Sequence, residues 1–484
     1  MALRARISQF DLQSIAKRTS VGARNKRSAV ARFCAVLTLS LFGFGTLAHG
    51  RTAPAQGPLR AGAARTDITD AALSKAKPGT AVNDRAYARA IVLDNGKTRA
   101  ALVALDLGFM STENWSKISQ RMERELGIPA DQLALMPSHT HAQLWDAGQY
   151  NDLIFQTIAQ AAKQMVPATM QLGTGEAYVN VNRNMTDPVT GRWREGPNYD
   201  GPSDKTVSVT SFARQDGTPI AVMYNYAVHP VVTGLLDEVS ADIPGAASRH
   251  IEASLGHDAV ALFSYGASGD QNPIFFNQTY ELRAIRIADY AKQGKDISNS
   301  LPPGGEGLDR NNPRVALLLD QTRAMSETMG LMLGEEVLRV HRSQLERPEE
   351  KIAIDGAVKS IRCPGRVRLD EGRAGSPGRY EDGDPVDLKL SVVRIGDLML
   401  SGIDTEIFTM IAQRLKRESP YKHTIVSTIT NGAAGAGLYI PHEAAFGYHT
   451  FEVLNSRMKP GCAEASIVNG FLDLIKEVDD TASN

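Results

Sequence analysis

Histidines that follow short apolar segments are the residues of this chain best suited to metal chemistry. His139 and His141 lie in residues 138–141 (SHTH), directly after the apolar residues 133–136. In an extended strand, residues i and i+2 project to the same face, so the two imidazoles can converge on one point. A second apolar segment leads to His229 in residues 225–230 (NYAVHP). Three imidazoles at strand ends predict a zinc site; for the first pair alone, two surface histidines at a strand end are the alternative.

Composition and charge exclude several kinds of partner. The 484 residues include 53 Lys and Arg and 54 Asp and Glu, which gives a formal net charge of −1. Because the two signs are interleaved, nothing indicates a nucleic acid or a strongly charged partner. No G-x-G-x-x-G motif follows a predicted strand, so a dinucleotide-binding fold has no support.

The N-terminal residues predict an export signal. Residues 1–33 are rich in Arg and Lys, residues 35–47 (AVLTLSLFGFGTL) are apolar, and small residues follow. This order is typical of a cleaved signal, and the apolar run is too short to cross a bilayer comfortably. We expect residues 1–55 to form an export signal region cleaved near residues 50–55, and the protein to be periplasmic or secreted without a transmembrane segment. The alternatives are an uncleaved membrane anchor and a wrongly chosen start codon ahead of the signal.

The three cysteines fit an exported protein. Cys34 lies in the predicted signal, which leaves Cys363 and Cys462 in the mature chain. A single disulfide between them is one outcome in an oxidising compartment, although their spacing does not show that they come close together. Neither lies in a C-x-x-C motif, so thiol redox chemistry and a cysteine zinc site are not expected.

Strand and helix patterns alternate along the rest of the chain. An Asn-Gly turn indicates a hairpin over residues 90–105, and glycine at position 127 ends a helix over residues 115–126. Further patterns predict helices over residues 152–165 and 316–340 and strands over residues 220–226, 259–263, 388–395 and 398–401. No linker or repeat divides the chain. We expect residues 57–484 to form a single large α/β domain with a mixed β-sheet core flanked by helices.

Two later segments add oxygen donors and reveal a family resemblance. Glu406 follows the strand at residues 398–401 and is predicted to open a helix, while Tyr439 follows the glycine-rich residues 435–437. With these segments, residues 60–474 resemble the N-terminal catalytic domain of the neutral/alkaline non-lysosomal ceramidase family. The motifs that carry the resemblance are, in order, AGAARTDIT at residues 61–69, Asp106, SHTH, NYAVHP, SADIPG at residues 240–245 and GASGDQNP at residues 266–273.

The resemblance implies a zinc ion held by His139, His229, Glu406 and Tyr439. Two neutral imidazoles, one carboxylate and one phenol would leave a position open for water or a substrate carbonyl, as a catalytic zinc requires. The alternatives are a helix N-terminal carboxylate for Glu406 and a buried core side chain for Tyr439.

The same resemblance implies roles for residues around the zinc. His141 would be the acid/base group, since its ordinary pKa suits proton transfer near neutral pH. Arg183, in residues 181–184 (VNRN), would face the scissile group and stabilise an oxyanion; a surface salt bridge is the alternative. Asp242 and Asp270 would orient the histidines or a water molecule, or else cap loops.

The chain departs from the family pattern at three points. Asn272 stands where the family carries a serine in G-D-x-S-P-N, and Phe451 stands where it has a second active-site tyrosine. The chain also stops near the end of the catalytic domain, so we expect no immunoglobulin-like C-terminal domain. An amide cannot form an acyl intermediate, so Asn272 is expected to orient water or substrate.

Together these features predict a zinc-dependent hydrolase. Its substrate would be a small-molecule or lipid N-acyl amide, ceramide-like or simpler, cleaved by metal-activated water. The alternatives are a zinc esterase or another amidase on the same fold, and a non-catalytic binding protein derived from it. The sequence makes no prediction of oligomeric state or acyl length.

Overall fold

A computed structural model describes residues 56–480 except positions 143, 147, 299–300, 371–373 and 433–438. The predicted export signal over residues 1–55, Cys34 and the glycine-rich residues 435–437 lie outside the described residues. None of the helices in the described part combines the length and the apolar composition that a membrane crossing requires.

Nineteen strands and nine α-helices occur among the described residues. The strands are β1 (Gly57–Pro58), β2 (Arg60–Asp67), β3 (Tyr87–Asp94), β4 (Arg99–Leu105), β5 (Leu133–Pro137), β6 (Val166–Glu176), β7 (Asn180–Thr186), β8 (Trp193–Asn198), β9 (Thr206–Arg214), β10 (Pro219–Tyr226), β11 (Val260–Tyr265), β12 (Gln271–Pro273), β13 (Lys351–Ile352), β14 (Ile354–Arg368), β15 (Tyr380–Ile395), β16 (Leu398–Ile403), β17 (Glu406–Ile407), β18 (His423–Ser427) and β19 (Tyr439–Ile440). The helices are α1 (Thr69–Leu73), α2 (Thr112–Leu126), α3 (Asn151–Lys163), α4 (Asp242–Leu255), α5 (Asn277–Lys292), α6 (Pro313–Ser343), α7 (Thr409–Glu418), α8 (Phe451–Asn455) and α9 (Ala463–Asp480).

An eight-stranded mixed sheet forms the centre of the fold. Its order is β11-β10-β9-β6-β2-β3-β4-β5, with parallel pairs at both edges and antiparallel pairs between them. Strand β4 is buried from Ala100 to Leu105, as expected of a strand covered on both faces. One face of this part of the sheet packs on α2 and α3, and the other on the second sheet described next. The predicted α/β class is confirmed.

A four-stranded sheet brings the two edges of the large sheet together. Its order is β14-β15-β16-β18, and α7 and α9 cover its outer face. After β18, the Thr428 N–H donates to the Tyr265 carbonyl in β11, and the Asn431 N–H donates to the Leu135 carbonyl in β5. The carboxyl ends of β5, β10 and β11 therefore lie close together, although β5 and β11 are opposite edges of their own sheet.

A disulfide joins Cys363 in β14 to Cys462, just before α9, with their Cα atoms 5.8 Å apart. Both residues belong to the apolar cluster beneath α9. The structure thus makes the pairing that the sequence left open, across 99 residues of chain.

Two sequence expectations about local structure are wrong. Strand β5 ends at Pro137, and His139 adopts a left-handed conformation with φ 65°, so strand alternation does not direct the SHTH histidines. Glu406 does not open a helix: it lies in the short strand β17, paired in parallel with Tyr439 in β19, and α7 begins at Thr409. The pairing of β17 with β19 sets Glu406 beside Tyr439, a contact that helix periodicity could not predict.

Candidate active site

Three imidazoles meet where β5 and β10 end. The Nε2 atom of His141 lies 3.2 Å from Nε2 of His139 and 3.2 Å from Nε2 of His229. Suitable ligand atoms of the three side chains all lie within 4.8 Å of one another. An imidazole Nε2 carries either one proton or one lone pair, so that of His141 cannot form a strong, well-directed hydrogen bond to both neighbours, and hydrogen bonding among the rings does not by itself account for this packing.

Main-chain contacts hold the loops that carry the histidines. The Nδ1–H of His139 donates to the Gly108 carbonyl at 2.8 Å, which leaves Nε2 of that ring with a free lone pair. The N–H of His141 donates to the carbonyl of Pro230, the residue after His229, at 3.0 Å. The SHTH loop and the NYAVHP loop are therefore joined beside the rings that they position.

Burial and charge set the protonation of the rings. Burial lowers the pKa of both His141 and His229 well below its ordinary value, with Arg183 and neighbouring histidines acting in the same direction. Burial also opposes the charged form of His139, but the Glu406 carboxylate outweighs it and the pKa of His139 is raised. At least two of the three rings are thus neutral near pH 7, the form that binds a metal.

Glu406 supplies an oxygen donor to the same place. Its Oε1 lies 3.3 Å from Nε2 of His139 and its Oε2 lies 3.7 Å from Nε2 of His229. Tyr439, beside it in the β17–β19 pair, is buried, and its ring centre lies 5.6 Å from the guanidinium carbon of Arg183. Burial raises the pKa of the Tyr439 hydroxyl far above its ordinary value, and Glu406 adds to the shift.

The spacing of these donors is compatible with a bound metal ion. Ligands 2.0–2.1 Å from a tetrahedral zinc lie about 3.3–3.4 Å from one another. The nitrogen–nitrogen distances of 3.2 Å at His141 and the nitrogen–oxygen distance of 3.3 Å between His139 and Glu406 are close to that spacing. The three-histidine cluster is compatible with a metal site.

Arg183, in β7, is held from three sides. Its Nη2 donates to the Gly269 carbonyl at 2.7 Å and its Nη1 to Oδ1 of Asn272 at 3.3 Å, while Nη1 also lies 3.4 Å from Nδ1 of His229. Its Nε lies 2.5 Å from Oε1 of Glu452 in α8, and both side chains are buried. The pKa of Arg183 is raised because the attraction of Glu452 outweighs the effect of burial. This ion pair is therefore buried, unlike the surface salt bridge considered as the alternative.

Asn272, in β12, is engaged at both ends of its amide. Its Oδ1 accepts from Arg183, and its Nδ2 donates to Oε1 of Glu195 at 2.8 Å and to the Tyr280 hydroxyl at 3.0 Å. Glu195 also accepts from Arg283 at 2.8 Å. The amide thus joins the Arg183 guanidinium to a second ion pair on β8 and α5.

The two aspartates make local contacts. Asp270 accepts from the Thr409 N–H at 2.9 Å and from Nδ2 of Asn182 at 3.1 Å, so its carboxylate ties α7 to β7. Asp242 accepts from the N–H and the hydroxyl of Thr233, at 2.7 and 2.6 Å, and secures the loop after His229. Each contact supports a segment that carries or adjoins a site residue.

Three residues that the sequence motifs did not single out belong to this arrangement: Glu195, Tyr265 and Glu452. Glu452 directly follows Phe451, and Tyr265 directly precedes the GASGDQNP motif at residues 266–273. Tyr265 reaches the site through the pairing of β10 with β11, which sets it opposite Tyr226. Such cross-strand placement leaves no signal in residue spacing.

Known proteins share both sequence features and fold with this chain. Residues 62–281 match the family model of the neutral/alkaline non-lysosomal ceramidase N-terminal domain. The resemblance to this family is confirmed. A ceramidase solved in complex with C2 aligns with a TM-score of 0.62 at 17% identity, covering 86% of this chain and 75% of its own. The neutral ceramidase from Pseudomonas aeruginosa aligns with a TM-score of 0.60 at 17% identity, covering 88% of this chain and 74% of its own. The ceramidase fold therefore extends well beyond the segment that the family model matches.

Proposed function

We propose that this chain is a zinc-dependent hydrolase that cleaves an N-acyl amide bond. The observation that carries the proposal is the meeting of three histidine nitrogens and the Glu406 carboxylate at one buried point of a ceramidase fold. Titratable groups gathered in this way, with several shifted pKa values, are typical of catalytic sites.

His139, His229, Glu406 and Tyr439 would hold the ion. When bound, zinc supplies a Lewis acid that polarises an amide carbonyl and makes a water molecule more acidic. His141 lies beside the same point with a neutral ring, so its Nε2 can accept a proton from water and pass it to the leaving nitrogen. His141 is as close to the other two rings as a ligand would be. Direct ligation of the metal by His141 is therefore the alternative to its acid/base role, and spectroscopy of the bound metal would distinguish the two.

Arg183 would act through its fixed charge. Glu452, Gly269 and Asn272 hold the guanidinium next to His229, so a developing oxyanion would meet a cation that needs no rearrangement. Asn272 keeps that cation in place and offers no nucleophilic oxygen. We therefore propose attack by water, without a covalent acyl-enzyme.

Substitutions test the choice between water attack and an acyl-enzyme. Asn272→Ala should retain measurable turnover, whereas His139→Ala should lose both zinc and activity. His250→Ala is the matched control, because His250 pairs with Glu335 on the surface. Trapping a covalent acyl-enzyme during turnover would contradict water attack.

The neighbour of Tyr439 bears on the substrate. Phe451 is 53% exposed, and its ring centre lies 5.9 Å from that of Tyr439, so an apolar ring stands where a second hydroxyl could bind a polar head group. Each hydrogen bond that is lost is worth about 0.5–1.5 kcal/mol. We therefore propose that simple N-acyl amides or esters are hydrolysed faster than long-chain ceramide.

A side-by-side assay decides the substrate class. Zinc-loaded wild type and Phe451→Tyr are compared on ceramide, a short N-acyl amide and the matching ester. We expect the wild type to prefer a simple substrate and Phe451→Tyr to gain most on ceramide. Ceramide turned over fastest by the wild type would contradict the preference for simple substrates and indicate a ceramidase. No turnover of any substrate would favour the non-catalytic binding protein.

We also propose that residues 57–484 form the mature domain of an exported protein. The Cys363–Cys462 disulfide supports this, because such bonds persist mainly in oxidising compartments. N-terminal sequencing of the mature protein should place its first residue near residues 50–55, and a mature chain that begins at Met1 would contradict export by cleavage.

A further inference from the structure

Tyr265 lies beneath the histidine cluster with its hydroxyl between two of the proposed ligands. Its side chain is completely buried at the end of β11. The Oη atom lies 3.3 Å from Nδ1 of His229 and 3.4 Å from Oε2 of Glu406. The ring also packs on His139, with ring centres 5.2 Å apart.

His229, Tyr265 and Glu406 can form two successive hydrogen bonds, from His229 to Tyr265 and from Tyr265 to Glu406. If Nε2 of His229 faces a cation, Nδ1 carries the proton and must donate. An ionised carboxylate only accepts, whereas a phenol can accept and donate together. The Ser268 carbonyl, 3.2 Å from Nδ1 of His229, can also accept a hydrogen bond from that nitrogen. The Tyr265 hydroxyl differs from it in reaching both His229 and Glu406.

We infer that Tyr265 is a positioning residue for metal binding, whose hydroxyl fixes the ring of His229 and turns the Glu406 carboxylate toward the same point. The inference rests on the proposed zinc site. Groups that orient metal ligands in this way typically contribute 10–100-fold to metal affinity when they are removed. Tyr265 would therefore tune the affinity and the geometry of the site without touching the substrate.

Tyr226 provides a matched control. It is the register partner of Tyr265 on β10, and it is equally buried. Its hydroxyl donates to the Ala177 carbonyl at 2.7 Å, away from the histidines. Tyr226→Phe and Tyr265→Phe thus remove the same atom from neighbouring strands, and only the second change removes a contact with the proposed ligands.

The experiment measures zinc affinity by competition with a chromophoric chelator, and cobalt absorption spectra report ligand geometry. We expect Tyr265→Phe to bind zinc about 10–100-fold more weakly than wild type and to change the cobalt spectrum. Tyr226→Phe should match wild type in both measurements, even if its thermal midpoint falls.

The outcomes separate this inference from the proposed function. Wild type that binds no zinc would overturn both. Wild type that binds zinc while Tyr265→Phe binds it equally tightly, with the same cobalt spectrum, would overturn the positioning role alone. An equal loss of affinity in both variants would also overturn it, since a general loss of packing would then explain the effect.

Discussion

Replacing Glu452 by glutamine should destabilise the fold far more than the same kind of change in an exposed ion pair. The contact between Arg183 and Glu452 is buried, with side-chain exposures of 7% and 3%. Within the described part of the chain, the guanidinium also contacts the Gly269 carbonyl, the Asn272 amide and Nδ1 of His229, none of which carries a negative charge. Glutamine keeps the size of the side chain but leaves the cation without a carboxylate in contact.

The size of the effect follows from burial. Two unit charges about 4 Å apart attract by about 4 kcal/mol at an effective dielectric constant of about 20. Removing one partner of a buried pair costs about 3–5 kcal/mol in proteins generally. Because the glutamine oxygen can still accept a hydrogen bond, we expect Glu452→Gln to lose about 3 kcal/mol of unfolding free energy.

Asp387→Asn is the control. Arg362 and Asp387 make contacts of 2.6 and 2.7 Å, but their side chains are 69% and 54% exposed. Exposed pairs contribute about 0–1 kcal/mol, so this variant should remain close to wild type.

Urea unfolding of the oxidised proteins measures both changes. The expected result is a lower midpoint for Glu452→Gln with an unchanged dependence on urea concentration, and little change for Asp387→Asn. Equal losses of free energy in the two variants would show that burial does not govern the strength of the Arg183–Glu452 pair.

Two further predictions concern stability. Replacing both Cys363 and Cys462 by serine should cost about 2–4 kcal/mol of unfolding free energy, because the disulfide closes a long loop. A reductant should then lower the urea midpoint of the wild type but not that of the variant. Equal responses of the two proteins to the reductant would contradict this prediction. Burial raises the pKa of Asp270 to about 6 from its ordinary value of 3.8. The folded protein therefore binds a proton at Asp270 more tightly than the unfolded chain does. The stability that this proton contributes is complete below about pH 4 and is lost as the pH rises through about 6. Asp270→Asn should therefore gain stability relative to wild type between pH 4 and pH 7, by up to about 3 kcal/mol, and a difference that does not vary with pH would refute the assigned shift.

Local patterns in the sequence were enough to predict many elements. The helix predicted over residues 115–126 is α2, which begins slightly earlier because the Ser111 hydroxyl accepts from the Asn114 N–H, and ends at Gly127 in the left-handed conformation. The predicted hairpin over residues 90–105 corresponds to β3 and β4. Capping and turn residues act over a few positions, so their effects can be predicted from the sequence.

The geometry of the site could not be predicted in the same way. His139 turns toward the cluster through a left-handed backbone, and Glu406 meets Tyr439 through strand pairing. Near the place where β5 approaches β11, Leu135 exchanges hydrogen bonds with Asn431, which is nearly 300 positions further along the chain. The motifs singled out His139, His141 and His229, whose ligand atoms the fold brings together. The contacts of Tyr265 and Glu452 depend on tertiary packing that no spacing rule encodes.

We propose that bound zinc makes this chain an amide hydrolase. The most direct test of this proposal is one titration, in which metal-free protein receives increasing zinc while hydrolysis of a short N-acyl amide is followed. We predict no turnover without zinc, a linear rise with added metal and a plateau at about one zinc ion per chain, as a single site requires. Turnover that is already complete in metal-free protein, or no turnover at any zinc concentration, would contradict the account.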